Sequence, residues 1–454
     1  MKLFGTDGIR GEAGRFPLDG RTVEAVCTAV ARRLAGGGGP AVLVARDTRE
    51  SGPWIRDRAR RAFAAAGVAT LDLGVLPTPV AARAAARHGC AGALVISASH
   101  NPYTDNGLKF LTAEGTKLPD DLEAAVEAEV PGSTAPGDDG GEAPPPAFAL
   151  DPAVDLAADP ETLREYTDFL GRSFPRGTAG RPGLRVVVDC ANGAASPLAR
   201  LASDRFGLSL LAIHDTPDGR NINAGCGAVC PGTAARAVVE TGAGLGLSLD
   251  GDGDRLMACD AAGRVLDGDA LLYVLARWLA SRNALPGAAV VGTVMTNLGL
   301  ERALARDGIR LERTPVGDRH IQARLREQGC ALGGEPSGHL IVAPYALTGD
   351  GFLAGCLLLE VLADTGEPLP GLLLGYTPCP SRIFNLRVRE RKPLAEIDAV
   401  GRLEEAVKRL AGEAGRTVIR YSGTEPLLRV LVEAEGLDGI LPALEPLLDQ
   451  IRQS

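Results

Sequence analysis

The sequence predicts an α/β architecture, repeated about three times and closed by a small α+β domain. Two patterns predict it. Apolar runs of strand length recur as AVLVARD (41–47), GALVIS (92–97), LRVVVD (184–189), LSLLAIH (208–214) and AVVGTVMT (289–296), each continuous enough for a parallel strand buried on both faces. Ala-, Leu- and Arg-rich stretches at 54–66, 195–203 and 299–306 fit crossover helices. From Ile383 the rhythm changes to strand (383–389), helix (395–412), strand (415–421), strand (427–434) and helix (438–452), the order of a separate α+β unit.

At 454 residues the chain exceeds one ordinary core, and its expected division is 1–157, 158–254, 255–372 and 373–454. The segment PGSTAPGDDGGEAPPP (131–146) has too little apolar content to pack and reads as an exposed loop near the first boundary. With 45% hydrophobic and 23% charged residues and no apolar run long enough to cross a bilayer, a membrane role is not expected. A net charge of -9 without a basic stripe speaks against nucleic acid as a partner. The opening MKLFGTDGIRGEAG has no apolar signal core, so a cytoplasmic location is expected. Nine cysteines, scattered from Cys27 to Cys379, suggest free thiols, and the closest pair, Cys226 and Cys230, is too small a set for zinc.

Four runs could carry chemistry. Ser99 in ISASHNP follows an apolar run and precedes His100, Asn101 and Pro102, where a strand yields to a turn and ligands gather. The run continues through Asp105-Asn106-Gly107 to Lys109, one of only five lysines in an arginine-rich chain. Asp250, Asp252 and Asp254 alternate with glycines ahead of Arg255, a spacing of oxygen donors that suits magnesium or calcium. An EF-hand is excluded because its sixth position would be Arg255 and its twelfth Ala261. Glu335, Ser337 and His339 in GGEPSGH offer hydrogen bonds to a polyol. Arg420, Ser422, Gly423 and Thr424 in RYSGTEP, with Arg429 beyond, offer guanidinium, hydroxyl and backbone donors that match a phosphate dianion. Shorter runs hold Arg10 (GTDGIRG), Asp189 to Gly193, and Gly317-Asp318-Arg319. Gly242-Ala-Gly244-Leu-Gly246 precedes a strand and has the wrong spacing for a dinucleotide fingerprint.

Together and in this order, ISASHNP, DGDGDR, GEPSGH and RYSGTEP resemble the motifs of the α-D-phosphohexomutases across nearly the whole chain. The resemblance implies three doubly wound α/β domains and a small C-terminal α+β domain around a central cleft, with Ser99 phosphorylated in the active enzyme. It implies that Asp250, Asp252, Asp254 and the seryl phosphate hold one magnesium ion per subunit. Arg10 would support that phosphate, with Lys109, His100 and His339 at acid/base and phosphate contacts. Arg255, Gly317, Asp318, Glu335 and Ser337 would bind sugar, and Arg420, Ser422, Gly423, Thr424 and Arg429 the substrate phosphate. Because arginine cannot readily release its proton, proton transfer falls to Lys109.

The FGTDGIRG opening is most similar to family members acting on glucosamine phosphates. It implies interconversion of the 6- and 1-phosphates through glucosamine 1,6-bisphosphate, towards UDP-N-acetylglucosamine and cell-wall precursors. Pro336 where glutamine is usual and His320 where tyrosine is usual depart from that pattern, so mannose or glucose phosphates are the runner-up substrates. A non-catalytic phosphosugar-binding protein is the alternative of a different class. The only partner expected is a small sugar phosphate, with a homodimer as the assembly seen among relatives.

Overall fold

A computed structural model describes all residues except 1, 6, 35–38, 40, 131–147, 149, 180–182, 347, 389, 422–426 and 454. The expected loop at 131–146 lies outside the described residues.

Three sheets share one plan. In the first, Ala41–Arg46 pairs in parallel with Ala69–Val75 on one side and Gly92–Ile96 on the other, and Asp105–Thr112 returns antiparallel to Gly92–Ile96. The second repeats this with Arg185–Asp189 between Ser209–Ile213 and Leu245–Leu249, and Leu256–Asp260 as the return. In the third, Ala289–Thr293 lies between Arg310–Thr314 and Leu332–Gly334, with Leu340–Val342 returning. The sequence pointed to parallel strands; the return strands are antiparallel because a hairpin needs only a short turn, whereas a parallel partner needs a crossover. Those turns, 97–104, 250–255 and 335–339, are the serine, aspartate and sugar-loop motifs. The second sheet also runs through Leu256–Asp260 to Val265–Leu266, beyond the expected break at 254/255.

The continuous apolar runs arise because alternate residues serve different cores. Val42, Val44, Leu94 and Ile96 face helices Gly20–Leu34 and Gly52–Ala65, while Leu43, Ala45, Ala93 and Val95 enter a second core. That second core also takes Val186 and Val188 from the next sheet and Val290 and Leu332 from the third, so one apolar interior joins three sheets. The last unit, Ser381–Arg387, Leu427–Ala434 and Gly415–Tyr421 in an antiparallel sheet backed by helices Asp398–Ala411 and Leu437–Gln453, has its own core around Leu403, Val430 and Leu444. It meets the third unit through polar contacts: buried Glu433 accepts from the Asn297 side chain at 2.9 Å, and Arg302 pairs with Glu435 at 2.7 Å. Among the described residues no helix is long and apolar enough to cross a membrane.

Candidate active site

Strand Gly92–Ile96 delivers Ser99 into a buried turn in the left-handed region (φ 53°). A non-glycine residue held there costs about 1–3 kcal/mol, so the turn needs restraint. It has three. Ser97 Oγ accepts the Ser99 N–H at 2.9 Å, Arg49 donates to the carbonyls of Ser99 (3.2 Å) and Asn101 (2.6 Å), and Asn223 donates to the same two (2.9 and 3.2 Å). Gly251 of the aspartate loop passes so close that a Cβ there would lie 2.6 Å from the Ser99 carbonyl oxygen. Only glycine permits that approach.

The result is a meeting of Ser99 with the acidic loop. Ser99 Oγ donates to Asp250 Oδ2 at 2.5 Å and lies 3.3 Å from His100 Nδ1. Lys109, on the return strand opposite Val95, puts Nζ 2.6 Å from Asp252, 2.9 Å from Asp7 and 3.5 Å from Asp254. Thr78 donates its hydroxyl to Asp252 at 2.5 Å. Asp7 also pairs with Arg10 and, at 2.5 Å, with Lys117, which reaches Asp318 at 2.7 Å. His339 sits 3.7 Å from both Asp254 and Asp318, and its backbone bridges that of Arg255.

Burial and charge set the protonation of these groups. Burial, then Asp254 and Asp252, push Asp250 well above the usual carboxylate range. Burial opposes charge on Asp254 too, but Lys109, His339 and Arg255 hold it well below that range. Against its own burial, Lys109 is held as the ammonium by Asp252, Asp7 and Asp254. Burial also opposes charge on His339, yet Asp254, Asp318 and Glu335 push it up to about 9. Burial, then Arg255 and Arg10, bring His100 down to about 4, so its ring is neutral near pH 7.

The aspartates fit a hard cation. One oxygen from each of Asp250, Asp252 and Asp254 lies within 4.8 Å of the others. Asp252 Oδ1 and Asp254 Oδ1 are buried without a hydrogen-bond partner among the described residues, and an all-oxygen donor set suits magnesium. The sugar-loop residues join through Glu335, which accepts the Gly317 N–H at 3.2 Å and lies 3.5 Å from the Ser337 hydroxyl. Pro336 has no N–H to donate, and its carbonyl accepts the Gly268 N–H at 3.1 Å. Arg420 stands apart from the cluster, opposite Arg429 across paired strands. Burial, then Arg429, depress its pKa, and its buried Nε has no acceptor among the described residues, an arrangement an anion would relieve. Ser422, Gly423 and Thr424 lie outside the described residues.

Sequence reasoning missed the supports: Asp7, Lys117, Thr78, Asn223 and the fully buried Asp47–Arg49 ion pair. The Asp-x-Arg spacing at the end of AVLVARD was a usable signal, because a strand-end charge pair inside an apolar run requires buried partners. Arg49→Met removes one of the two donors to the Ser99 and Asn101 carbonyls and leaves Asp47 without its ion-pair partner. It should lower turnover about 100-fold with a smaller change in KM, together with a drop in thermal midpoint; steady-state kinetics and a melting curve check this.

Four family descriptions match in chain order: phosphoglucomutase/phosphomannomutase alpha/beta/alpha domain I at residues 1–135, domain II at 164–263, domain III at 267–377 and the C-terminal domain at 384–440. The chain is 40% identical to the phosphoglucosamine mutase of Myxococcus xanthus over 96% of this chain and 93% of that one. It is 44% identical to that of Rubrobacter xylanophilus over 95% and 93%. A solved phosphoglucomutase/phosphomannomutase family protein from Burkholderia thailandensis superposes with a TM-score of 0.77 at 26% identity, covering 99% of this chain and 98% of that one. With the serine, aspartate and sugar loops converging as described, the chain belongs to the phosphoglucomutase/phosphomannomutase family of α-D-phosphohexomutases, in its phosphoglucosamine mutase branch.

Proposed function

We propose that the chain interconverts glucosamine 6-phosphate and glucosamine 1-phosphate, with Ser99 as the phosphoryl carrier and the 1,6-bisphosphate as intermediate. The contact of Ser99 Oγ with the Asp250 carboxylate, inside a set of three aspartates, carries this reading. A turn-forming serine would have no need of such company. The names of the relatives, which match the chain almost end to end, support the amino sugar.

In this reading Arg420, Ser422, Gly423, Thr424 and Arg429 grip the phosphate already on the substrate, while Glu335, Ser337, Gly317 and Asp318 orient the sugar. Arg10 and Arg255 bind the oxygens of the group in transfer. The Ser99 Oγ–P bond breaks as a bond forms from phosphorus to the free sugar hydroxyl. Lys109, held as the ammonium, supplies a proton to the departing seryl oxygen and is restored by the proton that the attacking sugar hydroxyl gives up; in the return step neutral His100 beside Oγ accepts the serine's proton and passes it to the departing sugar oxygen. His339 keeps Asp254 charged. Asp250, Asp252, Asp254 and a seryl oxygen would hold one magnesium ion, which when bound neutralises the crowded charge and polarises the phosphorus. The bisphosphate then turns, and its other phosphate returns to Ser99. The C-terminal unit, with a separate core, closes on either orientation. Nine free thiols, eight of them buried, support a reducing, cytoplasmic setting.

Pro336 and His320 favour testing the neighbouring sugars. A coupled assay with magnesium and catalytic bisphosphate should turn over glucosamine 6-phosphate with a kcat/KM about tenfold or more above mannose and glucose 6-phosphates. Preference for mannose or glucose would reassign the substrate, and no turnover of any would leave a binding protein.

A further inference from the structure

A cavity of about 440 Å³ opens along helix Thr78–Arg87, walled also by helix Pro160–Ser173 and the segment that follows strand Leu340–Val342. Arg83 lines it. Its guanidinium carbon sits 3.5 Å from the centre of the Phe169 ring, so stacking fixes the group. Half-buried, it has no hydrogen bond or ion pair among the described residues. The nearby carboxylates are otherwise engaged: Asp350 accepts from the Tyr166 hydroxyl at 2.6 Å and the Leu353 N–H at 2.9 Å, Glu165 pairs with Arg87 at 2.8 Å, and Glu114, which also lines the cavity, is exposed and bonded to Thr112. Burial, together with Arg87 and Arg172, works against the charge on Arg83, a stress partly offset by Tyr166 and Asp350. A rigid guanidinium facing a cavity, with its donors unspent, is built to receive an oxyanion.

We infer that this cavity is an accessory anion site for a phosphate group, carried by a small organic phosphate or by free phosphate, with Arg83 as its principal donor. Its walls reach the aspartate loop. Thr78, at the start of the Arg83 helix, bonds Asp252, and Gly351, next to Asp350, donates its N–H to the Gly253 carbonyl at 3.0 Å. An occupant spanning the two walls therefore acts on both flanks of the loop that faces Ser99.

The test is calorimetric titration of the full chain with inorganic phosphate and, separately, glucosamine 6-phosphate, using wild type, Arg83→Met and Arg420→Met. Expected are two binding components, one weakened about tenfold or more only by Arg83→Met, the other only by Arg420→Met. Which probe occupies the Arg83 component identifies the source of the phosphate. Arg83→Met should retain kcat/KM within about twofold at low phosphate while losing the non-competitive effect of added phosphate on turnover. Should Arg83→Met not fold, Arg83→Gln serves in its place. Binding of both probes in one component, unchanged by a folded Arg83 variant, would overturn the inference.

Discussion

Ser99→Ala should lower mutase turnover by about 10⁴-fold or more while the protein stays folded. In the proposed cycle the Ser99 hydroxyl, which faces Asp250, forms and breaks the bond to phosphorus; Arg49, Asn223 and Ser97 hold the backbone and remain in place. Alanine inherits the left-handed backbone strain unchanged, and Asp250 Oδ2 loses one donor, at a cost of about 1–3 kcal/mol. The thermal midpoint should therefore fall modestly, and KM for the sugar phosphate should change little, because the proposed phosphate clamp of Arg420 and Arg429 lies in another unit. Kinetics, a melting curve and intact mass, which should lack the phosphoryl increment, check all three points.

Asp250→Asn should separate stability from activity. Without a cation, Asp250 is buried beside Asp252 and Asp254, and burial together with those two charges holds its folded-state pKa well above the usual carboxylate range. A carboxyl whose pKa is raised by folding holds its proton more tightly in the native state. Its ionisation therefore costs stability increasingly as pH rises above the unfolded value, and at neutral pH the metal-free protein carries that penalty. Asparagine removes it. In chelator the variant should melt several degrees above wild type, and the stabilisation that magnesium gives wild type should largely vanish, while turnover drops about 10³-fold. Equal melting of both proteins in chelator would mean that the three carboxylates are already balanced by Lys109 and His339.

The strands and the last unit were legible because their signals are local. The middles of such runs, 93–96 in GALVIS and 289–291 in AVVGTVMT, are apolar at every position since alternate side chains feed two cores, and the pattern after Ile383 gave each element in order. The antiparallel return strands were not legible, because Leu108 and Phe110, buried like their parallel neighbours, carry no mark of direction. In the site, the aspartate spacing and the serine turn announced themselves. Their supports did not: Arg49 and Asn223 lie 50 and 124 residues from Ser99 and act through carbonyls, which any residue possesses. Lys109 was read as a proton carrier from its rarity; its three carboxylate partners, which hold it as the ammonium, come from two other parts of the chain.

The most direct test of Ser99 as phosphoryl carrier is a single-turnover chase. Enzyme labelled with radioactive phosphate on Ser99 is mixed with excess glucosamine 6-phosphate and magnesium, then quenched across the first turnover. The label should leave the protein and appear first in the 1,6-bisphosphate and then in glucosamine 1-phosphate, at the rate of product formation. Product that forms while the label stays on Ser99, or leaves only as inorganic phosphate, would contradict the account.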